Sequence, residues 1–529
     1  MSNPTDPTAA IVHGETALGI EFGSTRIKAV LTGPDHQPIA TGAHDWENQF
    51  VDRIWTYSLD DAVTGMQEAY ATLVADVRHR YGVELTQLGA IGVSGMMHGY
   101  LALDAHDRLL VPFRTWRNTM TGPASQQLSE LFGCTIPQRW SIAHLWQAAL
   151  AEEEHVRDVA RITTLAGWIH WRLTGRRVVG ACEASGMFPL DPQVAWRADA
   201  VAAFDEVAAQ RGLNWSVTEL LPEPLPAGAD AGTLTPEGAL LLDPSGHLHA
   251  GCLACPPEGD AGTGMVATNT VAPRTGNVSA GTSIFALIVL DTPPAEAHPA
   301  IEMLSTPGGD PVAMVHCNNG ASEVNTWASV FTQFAERLGV PTDQGRIFEA
   351  LFTASLDGAP DAGGLVAFNY LSGEHLVELE EGRPLVLRTP DSELTLANFM
   401  RAQLYSVFAT LRVGLDVLLQ DDAVALDSLF AHGGVFRTPG VAQRHLAAAT
   451  RVPVAVGETA AEGGAWGIAL LAAFARSGAA SLPEFLAGVF TSAETVVVHP
   501  DPIEVEGFET YYRRQMAALE VERVALRHT

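Results

Sequence analysis

Apolar residues along the chain alternate between short runs typical of strands and longer segments with helical spacing. Two runs near the start, LGIEFG (18–23) and RIKAVLTG (26–33), predict strands joined by a tight turn, and PIATGAHDW (38–46) predicts a third strand. The apolar positions of residues 60–80 recur every three or four residues, which predicts an amphipathic helix. LGAIGVSG (88–95) predicts a buried strand. This alternation indicates an α/β protein that begins with an antiparallel meander.

The second half of the chain repeats the style of the first. Residues 363–374 predict a strand and a glycine loop, and residues 399–419 predict a helix with one apolar face. SLFAHGGVFRTPG (428–440) predicts a strand that runs into a glycine turn, and VPVAVG (452–457) predicts another strand. Glycines open a predicted helix at EGGAWGIALLAAFA (462–475). Both halves therefore have mixed strands and helices.

An internal repeat connects the two halves. The segment LGIEFGSTRIKAVL (18–31) has a partner in GNVSAGTSIFALIVL (276–290), close to half the chain length away. In both, a strand is followed by a glycine and two hydroxyl residues and then by a second strand. Two similar domains that each begin with this hairpin would explain the repeat. Their boundary is predicted near CPPEGDAGTG (255–264), which is rich in proline and glycine. The predicted division is 15–257, 258–505 and a C-terminal helix at 506–529.

Composition and charge limit the classes of partner that the protein is expected to bind. The chain has 529 residues, of which 47% are apolar and 17% charged, so it has material for two cores. Its net charge is −30, and no basic run or stripe occurs, which argues against nucleic acid and anionic membranes as partners. Any phosphate site must be built locally, from backbone amides and a few cations.

Cysteines and the chain start favour a reducing compartment. Five scattered cysteines do not form a disulfide framework, and the C-x-x-C at Cys252 and Cys255 is interpreted as two small apolar residues near a strand end. The 18 histidines lack metal-ligand spacing. Residues 1–16 have no basic and apolar segments of a signal peptide, and no apolar run is long enough to span a membrane, so a cytoplasmic location is expected.

The two glycine-hydroxyl turns suit phosphate. Glycine allows close approach, and backbone N–H groups in tight turns form concave sites for anions. One such turn is an ordinary hairpin, but two matching turns could hold a triphosphate from both sides. The sequence therefore predicts phosphate binding at Gly23, Ser24 and Thr25 and at Gly281, Thr282 and Ser283.

Eight motifs follow one another along the chain: GIEFGSTRIKAVL, GVSGMMHG, GWIHWRLTG, EGDAGTG, VSAGTS, YLSGE, HGGVFRTPG and EGGAWGIALLA. This ordered set resembles the FGGY family of carbohydrate kinases, in the actin/Hsp70/sugar-kinase superfamily. The motifs extend from about residue 18 to residue 475, in the family's order. The resemblance implies two ribonuclease-H-like α/β domains with a cleft between them, ATP and Mg²⁺ as cofactors, and a sugar as substrate. Assembly as a homodimer is left open.

The resemblance also implies roles for individual residues. Asp260 occupies the position of the general base and, with Glu21, of the carboxylates that serve Mg²⁺. The first turn would face the transferred phosphoryl group and the second the inner phosphates, while Gly433 and Gly434 match the turn on the adenosine side. The residues implied to approach the sugar are Met97, His98, Trp116, Asn118 and Asp260.

Three positions depart from the family's pattern. Glu21 replaces an aspartate and should still serve Mg²⁺ through water, with a longer arm. Ala261 replaces an asparagine that follows the catalytic aspartate, and Asn118 replaces an acid. The phosphate machinery is therefore expected to be intact, and the sugar pocket to be altered.

The expected function is ATP-dependent phosphorylation of a ketopentose, with xylulose as the best guess from GMMHG. A kinase for another ketose, polyol or sugar acid, a nucleotide-switched sugar-binding protein and a sugar sensor without catalysis stay as alternatives. Each residue also has a structural interpretation: Asp260 as a turn cap, His98 as a core histidine and Trp116 as a packing residue. For Lys28, a solvated strand position is preferred over a phosphate contact.

Overall fold

The structure is a computed structural model, and it describes residues 7–294, 298–340, 343–421, 424–457, 463–492 and 495–528. In chain order the strands are β1 (Ala17–Phe22), β2 (Arg26–Thr32), β3 (Pro38–Asp45), β4 (Gln49–Val51), β5 (Ile54–Thr56), β6 (Ala90–Gly95), β7 (Leu101–Leu103), β8 (Arg161–Thr163), β9 (Val178–Gly180), β10 (Glu223–Leu225), β11 (Leu253–Ala254), β12 (Glu258–Gly259), β13 (Thr275–Ala280), β14 (Ile284–Val289), β15 (Glu302–Ser305), β16 (Pro311–Cys317), β17 (Val366–Phe368), β18 (Leu385–Leu387), β19 (Ser428–His432), β20 (Val454–Gly457) and β21 (Thr495–Val498). The α-helices are α1 (Pro7–His13), α2 (Leu59–Tyr81), α3 (Gly122–Phe132), α4 (Ser141–Leu150), α5 (Leu165–Thr174), α6 (Ala181–Ser185), α7 (Ala198–Gln210), α8 (Val217–Leu220), α9 (Pro236–Leu242), α10 (Asp260–Ala267), α11 (Ser322–Arg337), α12 (Gln344–Ala354), α13 (Leu396–Asp416), α14 (Val441–Thr450), α15 (Gly463–Ser477), α16 (Leu482–Val489) and α17 (Pro502–His528).

The chain packs as two compact units. Unit 1 comprises Met1–Val271, Met303–Pro311 and Thr459–Ser492. Unit 2 comprises Ala272–Glu302, Val312–Glu458 and Ala493–Thr529. The predicted division at 257/258 and 505/506 does not coincide with these units, because the chain returns to unit 1 after most of unit 2 is complete.

The main sheet of unit 1 has the strand order β11-β6-β1-β2-β3, with β12 also paired to β6. Strand β1 is antiparallel to β2 and parallel to β6, so Glu21 lies between Lys28 and Ser94. The predicted strands and the helix at 60–80 are present. Ser58 caps the start of α2 by accepting from the Asp61 N–H, and Gly82 ends it in the left-handed conformation.

Helix α15 packs against the sheet of unit 1, on β1 and β6, although its sequence lies within the second predicted domain, 258–505. The approach requires glycine on both sides. A Cβ at Gly19 would lie 2.1 Å from the Ala465 carbonyl oxygen, and a Cβ at Gly467 would lie 2.0 Å from the Thr263 carbonyl oxygen. Helix α15 thus packs closely against the backbones of both β1 and α10, and this packing places it in unit 1.

In unit 2 the strands follow the order β16-β14-β13-β19-β20-β21. As in unit 1, the repeated hairpin is antiparallel (β13 with β14) and its first strand is parallel to a later one (β19). Helix α13 forms much of the core, and the predicted C-terminal helix is present as α17. Over Leu396–Leu419 the chain has the length and hydropathy of a membrane span, but 78% of that window is buried inside the protein, as in a core helix.

The segment predicted as a glycine-rich boundary contains a strand and a helix instead of an open linker. Glu258 and Gly259 form β12, and α10 begins at Asp260 with Gly259 as its N-cap. Cys252 and Cys255, which flank β11, are buried free thiols in unit 1. Burial raises the pKa of the Cys252 thiol to about 12, which agrees with its interpretation as a packing residue.

Candidate active site

Asp260 stands at the junction of a strand end and a helix start. Because β12 runs parallel to β6, both strands end at the same edge of the sheet, and the GMMHG segment follows β6 there. The Met97 N–H donates to Asp260 Oδ1 at 3.1 Å. The Asp260 residue is exposed to solvent. Desolvation by the surrounding protein nevertheless raises the pKa of its carboxyl, and the hydrogen bond from the Met97 N–H lowers that pKa in part. The predicted base and the predicted sugar-site segment are thus in direct contact.

Glu21 lies on the neighbouring strand β1, with its carboxyl at the start of α15. Burial raises the pKa of Glu21 to about 7, Lys28 opposes the rise, and the negative charge of Asp260 adds to it. The backbone N–H groups of Ala465 and Gly464 also lower this pKa. A Cβ at Gly464 would lie 2.5 Å from Glu21 Oε1, so glycine is needed for this contact. The predicted start of this helix at Glu462 lies outside the described residues.

Glu21 and Asp260 form a pair of carboxyls that fits Mg²⁺ bound together with phosphates. Mg²⁺ usually takes one or two protein carboxylates and completes its octahedron with water and phosphate oxygens. Within the described ranges, no three His, Cys, Asp or Glu side chains are grouped as metal ligands. Burial is the main cause of the raised pKa of Glu21, and the negative charge of Asp260 adds to it, so a cation bound to both carboxyls would favour their ionised forms.

Two further carboxyls lie behind Asp260, and the sequence analysis did not single them out. Glu258 is buried and accepts from the backbone N–H groups of Cys182 and Glu183 at the start of α6, at 3.3 and 2.9 Å. Burial raises the pKa of Glu258 to about 8 and that of Glu183 well above its usual range. A Cβ at Gly259 would lie 2.3 Å from Glu183 Oε2. For Glu183, the sequence offered one signal of a buried carboxyl: it is an isolated acid within VVGACEASGM (178–187), a run of small and apolar residues.

His98 is buried beside this group and is held in one tautomer. Its φ of +72° is in the left-handed region. Arg139 Nε donates to Nε2 at 3.0 Å, so the proton resides on Nδ1, which lies 3.3 Å from the Gly186 carbonyl oxygen. Burial, reinforced by Arg139, lowers the pKa of His98 well below its usual range. A neutral histidine with both ring nitrogens engaged can shape a pocket but is not suited to be the base.

The loop that carries Trp116 and Asn118 gives the two residues different surroundings. Trp116 is 42% exposed. Asn118 is buried, with its Oδ1 accepting from the Trp55 N–H at 2.9 Å and its Nδ2 donating to the Trp55 carbonyl at 2.8 Å. The Arg117 guanidinium lies 4.4 Å from the Trp55 ring centre. Asn118 therefore fastens this loop to β5, and a role for its amide in the sugar site stays a prediction.

The first glycine-hydroxyl turn is exposed beside an open cavity. The Gly23 N–H closes the hairpin by donating to the Arg26 carbonyl at 3.1 Å. Ser24 and Thr25 are exposed, and within the described part of the chain their N–H groups donate to no protein acceptor. A cavity of about 820 Å³ lies alongside, lined by Thr25, Arg26, Lys28, Asp45, Trp46 and Glu47. Arg26 is paired with Asp45 at 2.5 Å.

The second turn, in unit 2, closes one residue earlier along the chain than the first. The Gly281 N–H donates to the Ser283 carbonyl at 2.9 Å, and Gly281 and Thr282 are exposed. Strand β19 ends beside it, so the next residue, Gly433, packs against Ala280 with a φ of +106°. A Cβ at Gly433 would lie 2.3 Å from the Ala280 carbonyl oxygen, whereas a Cβ at Gly434 would meet nothing within 4 Å. Gly433 is thus required by the fold, and Gly434 faces open space.

Comparison with known proteins agrees with this arrangement. The N-terminal and C-terminal domain models of the FGGY family of carbohydrate kinases match residues 16–242 and 276–476. A xylulose kinase from Haemophilus influenzae is 22% identical over 369 residues, which cover 68% of this chain and 70% of that protein.

Solved structures share the fold over nearly the whole chain. A xylulose kinase from Rhodospirillum rubrum superposes with a TM-score of 0.79 at 20% identity, covering 96% of this chain and 98% of that one. A gluconate kinase from Lactobacillus acidophilus gives 0.78 at 17% identity, with 96% and 98% covered. The predicted fold class and family are confirmed. With both family models matched in order, and with ATP implied as the phosphoryl donor, the chain belongs to the FGGY family of carbohydrate kinases and is a sugar phosphotransferase.

Proposed function

We propose that this kinase transfers the γ-phosphoryl group of ATP to a hydroxyl of a ketopentose, with xylulose as the first candidate. The observation that carries the proposal is the contact between Asp260 and the Met97 N–H, because it places a solvent-accessible carboxylate directly at the GMMHG segment. Similarity to a xylulose kinase supports the choice of sugar.

In this proposal Asp260 accepts the proton of the attacking hydroxyl. Its raised pKa makes it a stronger base than an ordinary aspartate, and a positioned base of this kind contributes about 10²- to 10⁴-fold to turnover. Met97, neutral His98 and the exposed Trp116 would line the sugar, while Asn118 would act by fixing the loop that presents Trp116.

The phosphates would be bound chiefly by backbone donors. The N–H groups at Ser24 and Thr25 suit the transferred phosphoryl group, and the turn at 281–283 suits the inner phosphates. Gly434 would leave room for the adenosine, and Gly433 would form the turn that presents it. Glu21 and Asp260 would hold Mg²⁺ through water, and the ion would supply neutralisation of phosphate charge.

A screen of ADP release tests the proposal. The acceptors are D-xylulose, D-ribulose, glycerol and gluconate, each with ATP and Mg²⁺. We expect the highest kcat/KM with a ketopentose. A preference for glycerol or gluconate would replace the ketopentose with a polyol or a sugar acid. Slow hydrolysis that no acceptor accelerates would instead favour a nucleotide-switched protein.

The same screen tests the departures at Ala261 and Asn118. Loss of one hydrogen bond to a buried hydroxyl costs about 1–3 kcal/mol, or about 5- to 150-fold in efficiency. If those residues contribute sugar contacts elsewhere in the family, D-xylulose should be used correspondingly less well than by dedicated xylulose kinases. The variant Ala261→Asn should then improve kcat/KM for D-xylulose, and an unchanged value would remove this position from the sugar site.

A further inference from the structure

The three carbonyl groups of the first turn all accept hydrogen bonds from two aromatic residues, Trp46 and Tyr57. Trp46 Nε1 donates to the Gly23 carbonyl at 2.7 Å, and the Trp46 backbone N–H donates to the Thr25 carbonyl at 3.1 Å. The Tyr57 hydroxyl donates to the Ser24 carbonyl at 2.7 Å. Three consecutive carbonyls of an exposed turn are therefore bonded to two aromatic residues.

Holding these carbonyls also fixes the N–H groups. A trans peptide is planar, so the C=O of one residue and the N–H of the next point in opposite directions. Carbonyls turned towards Trp46 and Tyr57 leave the N–H groups of Ser24 and Thr25 facing the other way. Those are the donors proposed to meet the transferred phosphoryl group.

The two aromatic residues are themselves rigidly placed. Trp46 and Tyr57 are 7% and 3% exposed, and their ring centres are 4.4 Å apart. Trp46 also packs edge-on against Phe22, the last residue of β1. Tyr57 directly follows β5, whose Trp55 backbone is bonded to Asn118 at both its N–H and its carbonyl.

We propose that Trp46 and Tyr57 are positioning residues that orient the N–H donors of the Gly23–Thr25 turn towards the transferred phosphoryl group. This inference rests on the proposed role of that turn in phosphoryl transfer. Preorganised donors stabilise developing charge because they need no reorientation during the reaction. Losing the orientation should therefore lower turnover more than it lowers the binding of either substrate.

Tyr57→Phe is the sharpest test, because it removes one hydroxyl and keeps the ring that packs on Trp46. The hydroxyl is also hydrogen-bonded to Asn48, so the variant Asn48→Ala separates that contact from the bond to Ser24. Tyr70→Phe is the matched control: Tyr70 lies buried in α2 of the same unit, and its hydroxyl has no protein partner within the described residues. A second test variant, Trp46→Phe, removes the indole N–H that donates to the Gly23 carbonyl and keeps an aromatic ring at that position.

The readouts are kcat and KM for ATP and for the best acceptor of the screen, sugar-independent ATP hydrolysis, and melting temperature. We expect Tyr57→Phe and Trp46→Phe each to lower kcat by about 5- to 30-fold, with KM changed less than about 3-fold. Tyr70→Phe and Asn48→Ala should resemble the parent.

The outcomes separate this inference from the proposed function. A parent protein that releases ADP with an acceptor, together with an unchanged kcat in Tyr57→Phe, would overturn the positioning role alone. A rise in KM for ATP with kcat unchanged would also overturn it, since the aromatic residues would then support only binding. A parent that neither binds ATP nor releases ADP would remove the proposed function first. If Trp46→Phe fails to fold, Tyr57→Phe decides.

Discussion

The two glycine-hydroxyl turns share a sequence pattern but differ in how the hairpin closes and in their chemical surroundings: the Gly23 N–H donates to the Arg26 carbonyl, whereas the Gly281 N–H donates to the Ser283 carbonyl. Each closes an antiparallel hairpin whose first strand is parallel to a later strand of its own sheet. At three equivalent positions the first hairpin carries Glu21, Arg26 and Lys28, whereas the second carries Ser279, Ile284 and Ala286. At these positions the first hairpin therefore carries ionisable groups and the second carries none. We infer that the first hairpin acts on the transferred phosphoryl group and that the second hairpin binds the inner phosphates.

The turns are also supported in different ways. Side chains of Trp46 and Tyr57 hold the first, but backbone N–H groups of Gly320 and Ala321 hold the second, donating to the Thr282 and Gly281 carbonyls at 2.7 and 2.8 Å. A Cβ at Gly320 would lie 2.4 Å from the Gly281 carbonyl oxygen. The first turn is therefore held by side chains as well as by backbone, and the second by backbone N–H groups.

The largest expected effect comes from Asp260→Asn. This substitution keeps the acceptor for the Met97 N–H and removes the base, so turnover should fall by about 10²- to 10⁴-fold while affinities for sugar and ATP change far less. Glu237→Gln is the control, since Glu237 is likewise an acid in the first turn of a helix in unit 1. Steady-state kinetics and a melting curve decide. Near-normal turnover would remove Asp260 as base, and an unfolded variant would favour a structural role for it.

The variant Glu21→Gln tests whether the ionisable carboxyl of the first hairpin is needed for activity. In the metal-free protein the pKa of Glu21 is about 7, so a proton competes with Mg²⁺ for this carboxyl at lower pH, and activity that depends on it should rise as pH increases through 7. The variant should lose about 10- to 100-fold in activity at low Mg²⁺ and lose this pH dependence. Ser279→Ala, at the equivalent position of the second hairpin, should keep the parent profile. Identical profiles for all three proteins would contradict the metal role of Glu21.

The variants Gly434→Val and Gly433→Ala test the glycine turn that lies beside the second hairpin. Because a Cβ at Gly434 meets nothing within 4 Å, valine there should leave the melting temperature unchanged and weaken ATP binding by on the order of 10-fold or more. Gly433→Ala should instead lower stability by about 1–3 kcal/mol, since its φ is +106° and the Ala280 carbonyl blocks the Cβ. Calorimetry with ATP provides the measurement. Unchanged ATP affinity in Gly434→Val would exclude the adenosine assignment.

The smallest effect is on stability, and it concerns the acids behind Asp260. The pKa of Glu258 is 4.5 in an unfolded chain and about 8 in the fold, so the folded protein holds the extra proton between these values. Stability therefore falls as pH rises from about 4.5 through 8. Glu258→Gln should melt higher than the parent at pH 8, with little difference at pH 4.5. Glu237→Gln again serves as control, and a gap that does not grow with pH would refute the assignment.

Local patterns were sufficient for most of the fold. The strands around both turns, α2 and the repeated hairpin were predictable, because period-two apolar runs, helical spacing and glycine turns depend on neighbours in sequence. The helix α10 was missed, because DAGTGMVA is rich in residues that disfavour helices, and the close packing of α10 on α15 outweighs that preference.

Two further features lay beyond local patterns. The sequence did not indicate that α15 belongs to unit 1, since the packing depends on Gly19 of β1 meeting Ala465 and on Gly467 meeting Thr263, which are far apart in the chain. Nor did it show that Asn118 is engaged by Trp55, because its partner is separated by a whole helix and several strands.

By itself, the sequence determined the α/β class, the duplication, the two turns and the family, since each of these is written in residue order and spacing. Only the tertiary structure decided the raised pKa values of Glu21 and Glu258, the lowered pKa of His98 and the aromatic support behind the first turn. The physical reason is that pKa values and hydrogen-bond partners depend on burial and on atoms brought together from distant parts of the chain.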